Sequence, residues 1–338
     1  MNDYQEDVKR VAALFGLPWE QLSSKNILVL GATGLIGGCL VDLLMSHGGA
    51  DYHVYAAGRN RERAQKRFAP YVESPFFHFF LFDVTEPVRT DLRFDYIVDA
   101  AGGASPQLYA SDPVGVMKSN IFGVDNLLSF GVRHGLQKFV YVSSGEVYGE
   151  GDGRAFDEDD SGYVNPVEVR SCYPSAKRAA ETLCVCYAHQ YGVDVSIARP
   201  CHVYGPYFTE TDNRVYAQFI RNVLRGEDIV LKSMGEAFRS WVYVVDCAAA
   251  LLHIMLKGKN MEAYNIAHEE SNVSIRALAE LVAGLSNKKV VFDIPDDARQ
   301  GKTTPITKAV FSTSKLEALG WKPLFLLRQG LEHTISAL

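Results

Sequence analysis

The sequence has no apolar run long enough to cross a bilayer. Its first residues, Met1-Asn2-Asp3-Tyr4-Gln5-Glu6-Asp7, are acidic and polar where a secretion signal would be basic and then apolar. A membrane partner is therefore not expected, and a cytoplasmic setting is. Basic clustering is missing too: the formal net charge is -6 and no sustained Lys/Arg run occurs, which argues against nucleic acid as a partner. Local arginines still allow anionic small molecules. Cysteine is sparse, and the six present (Cys39, Cys172, Cys184, Cys186, Cys201, Cys247) show no C-x-x-C pair. They read as free thiols in apolar stretches, and no metal site is expected. Internal repeats and low-complexity tracts are also lacking.

What is present is an alternation of apolar strands and helices over 338 residues, enough for a nucleotide-binding unit and a smaller lobe. Residues 1–24 form an amphipathic prefix carrying Val8, Val11, Ala12, Leu14, Phe15, Leu17 and Leu22. Ile27-Leu28-Val29-Leu30 is a continuous apolar run, suited to a central parallel strand buried on both faces. It leads into Gly31-Ala32-Thr33-Gly34-Leu35-Ile36-Gly37 and an apolar helix through Leu44. In that context Gly31 permits a tight turn, Gly34 lets backbone N–H groups approach a pyrophosphate, and Gly37 lets helix and strand pack closely. Thr33, Leu35 and Ile36 line the same loop.

The second strand, residues 53–57, ends in Gly58-Arg59 instead of the acidic residue that would take the ribose hydroxyls of NAD. Arg59, followed by Arg61 and Arg63, would suit the 2′-phosphate of NADP or simply begin a solvated helix, so NAD and NADP both stay open. Asp83-Val84 follows the strand 79–82 and places a carboxylate where it would reach the adenine amino group. Residues 96–99 run into a small-residue loop, Ala100-Ala101-Gly102-Gly103, over which a dinucleotide would lie. Asp112-Pro113 caps a long helix through His134 that carries a polar Asn120.

Ser171-Cys172-Tyr173-Pro174-Ser175-Ala176-Lys177 sets a tyrosine and a lysine four residues apart at the start of a helix. That spacing puts both on one face. The ammonium of Lys177 is expected to lower the Tyr173 pKa and make the phenol a general base. Upstream, the strand 139–142 ends in Ser143-Ser144, and Ser144 would share the same substrate hydroxyl. The fold class is α/β, a Rossmann-type doubly wound parallel sheet with a smaller C-terminal substrate-binding lobe. Residues 25–200, joined by 241–265, form the dinucleotide-binding unit; residues 201–240 and 266–338 form the lobe.

Taken in order, GATGLIG (31–37), SSGEVYG (143–149), YPSAK (173–177) and RPCHVYGP (199–206) resemble the extended short-chain dehydrogenase/reductase family of nucleotide-sugar epimerases, dehydratases and decarboxylases. Within it, segments 104–109, 163–166, 170–173, 177–182 and 212–215 are most similar to the UDP-glucuronate decarboxylases. The resemblance implies a 4-keto sugar intermediate, with Tyr173 as base, Lys177 as its partner and ribose ligand, Ser144 on the sugar 4-hydroxyl and Glu146 as active-site acid. It further implies Ala101, Gly102, Asn120, Pro200 and Val203 as cofactor-lining residues. Ser105, Tyr109, Arg214 and Arg239 fall on substrate positions, the arginines toward the diphosphate. His202 stands where many relatives have an Asn, and Gly145 where decarboxylases have Ser and 4,6-dehydratases an Asp. Without that acid, dehydration is disfavoured, and decarboxylation also loses a neighbouring group. A 4-epimerase, a keto-sugar reductase and a non-catalytic dinucleotide sensor are the alternatives. A homodimer through helices 113–134 and 174–190 is the family expectation.

Overall fold

The computed structural model describes residues 2–14, 16–49, 51–209, 212–294 and 307–338; Phe15 of the amphipathic prefix lies outside them. The chain runs α1 (Asp3–Ala12), β1 (Asn26–Leu30), α2 (Leu35–Ser46), β2 (His53–Gly58), α3 (Arg61–Arg67), β3 (Phe77–Leu81) and β4 (Tyr96–Asp99). It continues through α4 (Pro106–Ser111), α5 (Pro113–His134), β5 (Lys138–Val142), α6 (Cys172–Tyr191), β6 (Val195–Pro200) and β7 (His202–Tyr204). Then come α7 (Val215–Leu224), β8 (Ile229–Leu231), β9 (Phe238–Tyr243), α8 (Val244–Lys257), β10 (Glu262–Ile266) and β11 (His268–Ser274). The last elements are α9 (Ile275–Leu285), β12 (Val290–Phe292), β13 (Lys308–Ala309), α10 (Ser314–Glu317) and α11 (Leu327–Ser336).

Among the described residues, seven strands form one sheet in the order β3-β2-β1-β4-β5-β6-β10, every pair parallel. Chain order reverses between β1 and β4, so the loops after these two strands open on the same crevice, where sheets of this kind bind ligands. β1 is apolar because it has helices on both sides: Ile27 and Val29 belong to one buried cluster, Leu28 and Leu30 to the other. A second sheet, β11-β9-β13 with β7 on β9, and a small pair, β12-β8, lie outside the parallel sheet, in the region where the smaller lobe is expected.

α8 is the helix that the sequence pattern conceals. From Val244 to Leu256 every residue is buried, so there is no polar face and no amphipathic period to read. It packs beside α2 and beneath β5 and β6. Its one acid, Asp246, accepts backbone N–H bonds from Leu324 (2.9 Å) and Phe325 (3.1 Å). Burial still raises the Asp246 pKa to about 7.

The prefix helix α1 begins with a capping box between Asn2 and Gln5 and lays Val8, Val11 and Ala12 against the domain. Tyr4 Oη donates to Asp42 Oδ2 (2.5 Å) on α2, and Arg67 and Tyr71 hold the same carboxylate. Asp7 meets His333 Nδ1 at 2.6 Å on α11. Among the described residues no helix is long and apolar enough to cross a membrane.

Candidate active site

The glycine loop is built by close approach. Gly31 has φ 66°, and a Cβ there would lie 2.4 Å from the Ala100 carbonyl oxygen; one on Gly37 would lie 2.6 Å from the Gly31 carbonyl oxygen. α2 starts at Leu35 with Gly34 as N-cap and no side-chain cap, so its first N–H groups are turned to the crevice. Thr33 lies beside Gly58 at the end of β2, and Leu35 beside Gly205. Ile36 is half-buried in the same first turn. This cradle and the bare helix terminus fit a dinucleotide pyrophosphate.

Across the crevice, Ala101 N–H donates to Asp99 Oδ1 at 3.0 Å, and the Gly102 backbone runs past the Asn120 amide and the Lys177 ammonium. Asn120 has local partners on both amide atoms: Nδ2 donates to Val116 O (2.8 Å), and Oδ1 accepts from Tyr141 (3.1 Å). Val84 packs on Gly123. Arg59 points to Asp83 at 3.6 Å with most of its side chain in solvent. Partial burial pushes the Asp83 carboxyl up, but Thr85 hydrogen bonds and Arg59 outweigh it and hold the pKa below the usual range. Pro200 closes β6, and Val203 is buried in β7.

Tyr173 and Lys177 share the first turns of α6, and Tyr173 is 5 % exposed. Lys177 Nζ donates to the Val142 carbonyl at 2.8 Å and lies 5.8 Å from the centroid of the Tyr173 ring. Among the described residues it makes no hydrogen bond to the phenol. The expectation that Lys177 lowers the Tyr173 pKa is corrected here. Burial raises the phenol pKa and the Glu146 charge adds to the rise, while Ser144, Arg214 and Arg170 oppose them. Burial lowers the Lys177 pKa to about 8, against a pull from Asp99 and Glu181. In turn burial raises Asp99 to about 6, with Lys177 and the Ala101 amide opposing. The hydrogen-bond partner of the lysine is thus the Val142 carbonyl, and the charge that most favours its ammonium is the buried Asp99 at the end of β4.

Glu146 sits on the single 3-10 turn Gly145–Tyr148, which Ser144 caps by accepting from Glu146 N–H at 3.2 Å. Arg178 ties that turn to α6 by donating to the carbonyls of Val147 (2.6 Å) and Gly162 (2.8 Å). Glu146 is paired with Arg170, which stacks over the Tyr109 ring, and Tyr109 stacks on Tyr173 at 4.8 Å between centroids. Ser105 serves α4 as N-cap, accepting from Leu108 N–H at 3.3 Å. Arg214 is locked to Asp212 and Tyr216. Arg239 donates to the Phe238 carbonyl at 2.9 Å and to Thr307 O at 3.2 Å. His202 tilts against Trp241 and keeps an exposed surface; the partial desolvation of its ring by these neighbours, with the charges of Arg239 and Arg214, lowers its pKa, so it is neutral near pH 7. The Trp241 indole N–H is buried without a hydrogen-bond partner among the described residues.

Gly145 has a steric reason. A Cβ there would lie 2.5 Å from Cζ of Phe311, whose ring comes from the lobe just after β13. Sequence reading missed Phe311, Arg170 and Asp99 as parts of this site. The signal for Asp99 was available, since an acid closing the apolar strand Tyr96-Ile97-Val98 needs a partner. Arg170 lies in the segment 170–173 that carries the resemblance, whereas no comparable signal marks Phe311.

Comparison with known proteins agrees with this geometry. Residues 27–267 match the NAD dependent epimerase/dehydratase family. UDP-glucuronic acid decarboxylase 5 of Arabidopsis thaliana is 36% identical over 313 residues, covering 91% of this chain and 88% of that protein. UDP-glucuronic acid decarboxylase 1 of Xenopus tropicalis is 32% identical, covering 92% and 71%. The crystal structure of UDP-glucose 4-epimerase from Thermotoga maritima, solved with UDP-glucose, superposes with a TM-score of 0.77 at 27% identity over 92% of this chain and 97% of that one. A dTDP-glucose 4,6-dehydratase from Streptomyces venezuelae with NAD bound shares the fold, with a TM-score of 0.79 at 24% identity over 92% and 95%. The chain belongs to the NAD dependent epimerase/dehydratase family.

Proposed function

We propose that this protein decarboxylates a UDP-linked uronic sugar through a 4-keto intermediate. The observation that carries the reading is Ser144, Tyr173 and Lys177 gathered beside Glu146 and three arginines, in a chain 36% identical to a UDP-glucuronic acid decarboxylase over 91% of its length. The glycine loop and the uncapped start of α2 would hold the dinucleotide pyrophosphate, and Lys177 its ribose. A bound oxidised nicotinamide supplies positive charge near Tyr173 and an acceptor that takes up and later returns a hydride.

Every other role falls to the chain. Ser144 and Tyr173 hold the sugar 4-hydroxyl, and Tyr173 takes its proton once positive charge offsets the burial that keeps the phenol protonated. Arg214 and Arg239 hold the diphosphate, and neutral His202 adds an uncharged hydrogen-bonding group beside them. A carboxylate on C5 is β to the C4 ketone. Its loss as carbon dioxide leaves the electron pair in an enolate, which then takes a proton at C5.

Epimerisation is the second reading, favoured by the likeness to the Thermotoga maritima epimerase. Dehydration is disfavoured because Phe311 stands against Gly145, where an acid for the departing hydroxyl would have to sit. We also propose a homodimer across α5 and α6, since Val114, Met117, Phe122 and Val132 leave α5 with exposed apolar side chains. Light scattering at a monomeric mass would exclude it.

The deciding experiment incubates the purified protein with UDP-glucuronate, UDP-glucose and dTDP-glucose and follows products by NMR. A UDP-pentose with release of carbon dioxide supports the reading. Conversion of UDP-glucose to its 4-epimer, with UDP-glucuronate untouched, would replace it.

A further inference from the structure

Tyr207 has a backbone φ of 67°, in the left-handed region. Among the described residues the other non-glycine residues with positive φ are Ser24, Met261 and Asn287, and none of these is aromatic. A bulky L-residue has no local preference for that region, so contacts from elsewhere must hold it there. The Tyr4 ring of α1 meets the Tyr207 ring edge to face, with 5.2 Å between centroids and 80° between planes. The Arg67 guanidinium, from the last turn of α3, lies over the Tyr207 ring with Cζ 4.4 Å from the centroid. Neither jaw is loose. Tyr4 Oη and Arg67 both donate to the buried Asp42 carboxylate of α2, where Arg67 Nη1 stands at 3.1 Å.

What the clamp fixes is the path of the chain leaving β7. Gly205 lies against the first turns of α8 and α2: a Cβ there would be 2.4 Å from Val244 Cγ1 and 3.6 Å from Leu35 Cδ1. Two residues later the left-handed turn at Tyr207 redirects the backbone, and Phe208 meets the Tyr216 ring at 5.7 Å and 88°. Arg221 covers Phe208, its Cζ 5.6 Å from that centroid, and donates to the carbonyls of Thr209 (3.3 Å) and Asp212. Tyr216 Oη in turn accepts from Arg214 Nη2 at 3.0 Å. A negative φ at residue 207 would turn the chain after it and carry Phe208 off Tyr216.

We infer that Tyr207 is a positioning residue for substrate binding: clamped by Tyr4 and Arg67, it holds Phe208 and Tyr216 where they orient Arg214 toward the nucleotide-sugar diphosphate. The role rests on the assignment of Arg214 to the diphosphate in the proposed reaction. It gives α1, which lies outside the matched residues 27–267, a part in substrate binding without contact to the substrate. The diphosphate is unchanged while C4 and C5 react, so its contacts are as strong in the bound substrate as in the transition state. Misplacing Arg214 therefore raises KM and leaves kcat as it was.

The test measures UDP binding by calorimetry in the full-length protein with its dinucleotide bound. It compares the wild type with Tyr207→Phe, Tyr207→Asn, Tyr207→Leu, Arg214→Met and the Tyr207→Leu, Arg214→Met double variant, with urea denaturation of each. UDP carries the diphosphate and no sugar, so the result does not depend on which sugar reaction follows. Tyr207→Phe keeps the ring and should bind as the wild type does. Tyr207→Leu loses the clamp at an unfavoured φ and should weaken UDP about 10-fold, raise KM for UDP-glucuronate alike, and leave kcat and dinucleotide affinity unchanged. Asn tolerates positive φ, so Tyr207→Asn should bind UDP better than Tyr207→Leu although it is the less stable of the two. A packing role alone would make affinity follow stability, Leu above Asn, and that order overturns the proposal. In the Arg214→Met background Tyr207→Leu should cost nothing further; a second, additive loss overturns it too. Affinity that falls with Arg214→Met and not with Tyr207→Leu overturns the role of Tyr207 alone, whereas affinity unmoved by Arg214→Met overturns the diphosphate assignment and this role with it.

Discussion

Asp99 and Lys177 are both buried, one closing β4 and the other in the second turn of α6, and the charge of each favours the charged form of the other. Burial opposes both, raising Asp99 to about 6 and lowering Lys177 to about 8. Both are ionised together only between those limits.

The pH dependence follows. Asp99 has a raised folded pKa, so the folded protein keeps a proton that the unfolded chain releases, and this contribution to stability is lost as pH rises through about 6. Lys177 has a lowered one, so between about 8 and its ordinary 10.5 the unfolded chain holds the extra proton and stability rises with pH. Asp99→Asn removes the pull that keeps Lys177 charged. The alkaline limb of the kcat/KM profile should then move below pH 8; an unmoved limb would separate Asp99 from the lysine.

Tyr173→Phe deletes the group assigned to take the sugar proton in the proposed reaction. Turnover should fall by about 10²- to 10⁴-fold while nucleotide-sugar binding, measured by calorimetry, changes little. Product formation at the wild-type rate would reassign the base.

Much of this arrangement was readable in the sequence, for identifiable reasons. Gly31, Gly34 and Gly37 are set by local backbone geometry, and local geometry leaves a spacing. The helix expected over 113–134 is α5, because Asp112 caps it and Pro113 begins it. The strand expected over 79–82 lies at Phe77–Leu81, since a run of aromatics has no internal boundary. α8 escaped because it has no polar face, and β9 and β11 because their residues show no clear alternation. The fall in Tyr173 pKa anticipated from i, i+4 spacing was wrong in direction. Spacing gives proximity along a helix, whereas the environment of the phenol comes from Tyr109 on α4, from Ser144 and from the 145–148 turn.

Gly145→Ser should destabilise the protein by about 1–3 kcal/mol, because Phe311 blocks the added atoms. Pairing it with Phe311→Leu should recover part of the loss in urea denaturation. A silent single substitution would mean that the ring moves aside freely.

Arg67→Met leaves the Asp42 carboxylate buried with only tyrosine hydroxyls for partners, and a cost of about 3–5 kcal/mol is expected. Turnover per folded molecule should not change, since the cluster lies under α1 and away from Tyr173. Loss of activity at full stability would contradict that.

The Phe311 ring has a further consequence for chimaeras with relatives. A graft that exchanges only the C-terminal part would bring a foreign side chain opposite residue 145, and one that exchanges only the N-terminal part would set a bulkier residue against the resident aromatic. The two positions travel as a unit, so a recombination junction must not fall between them.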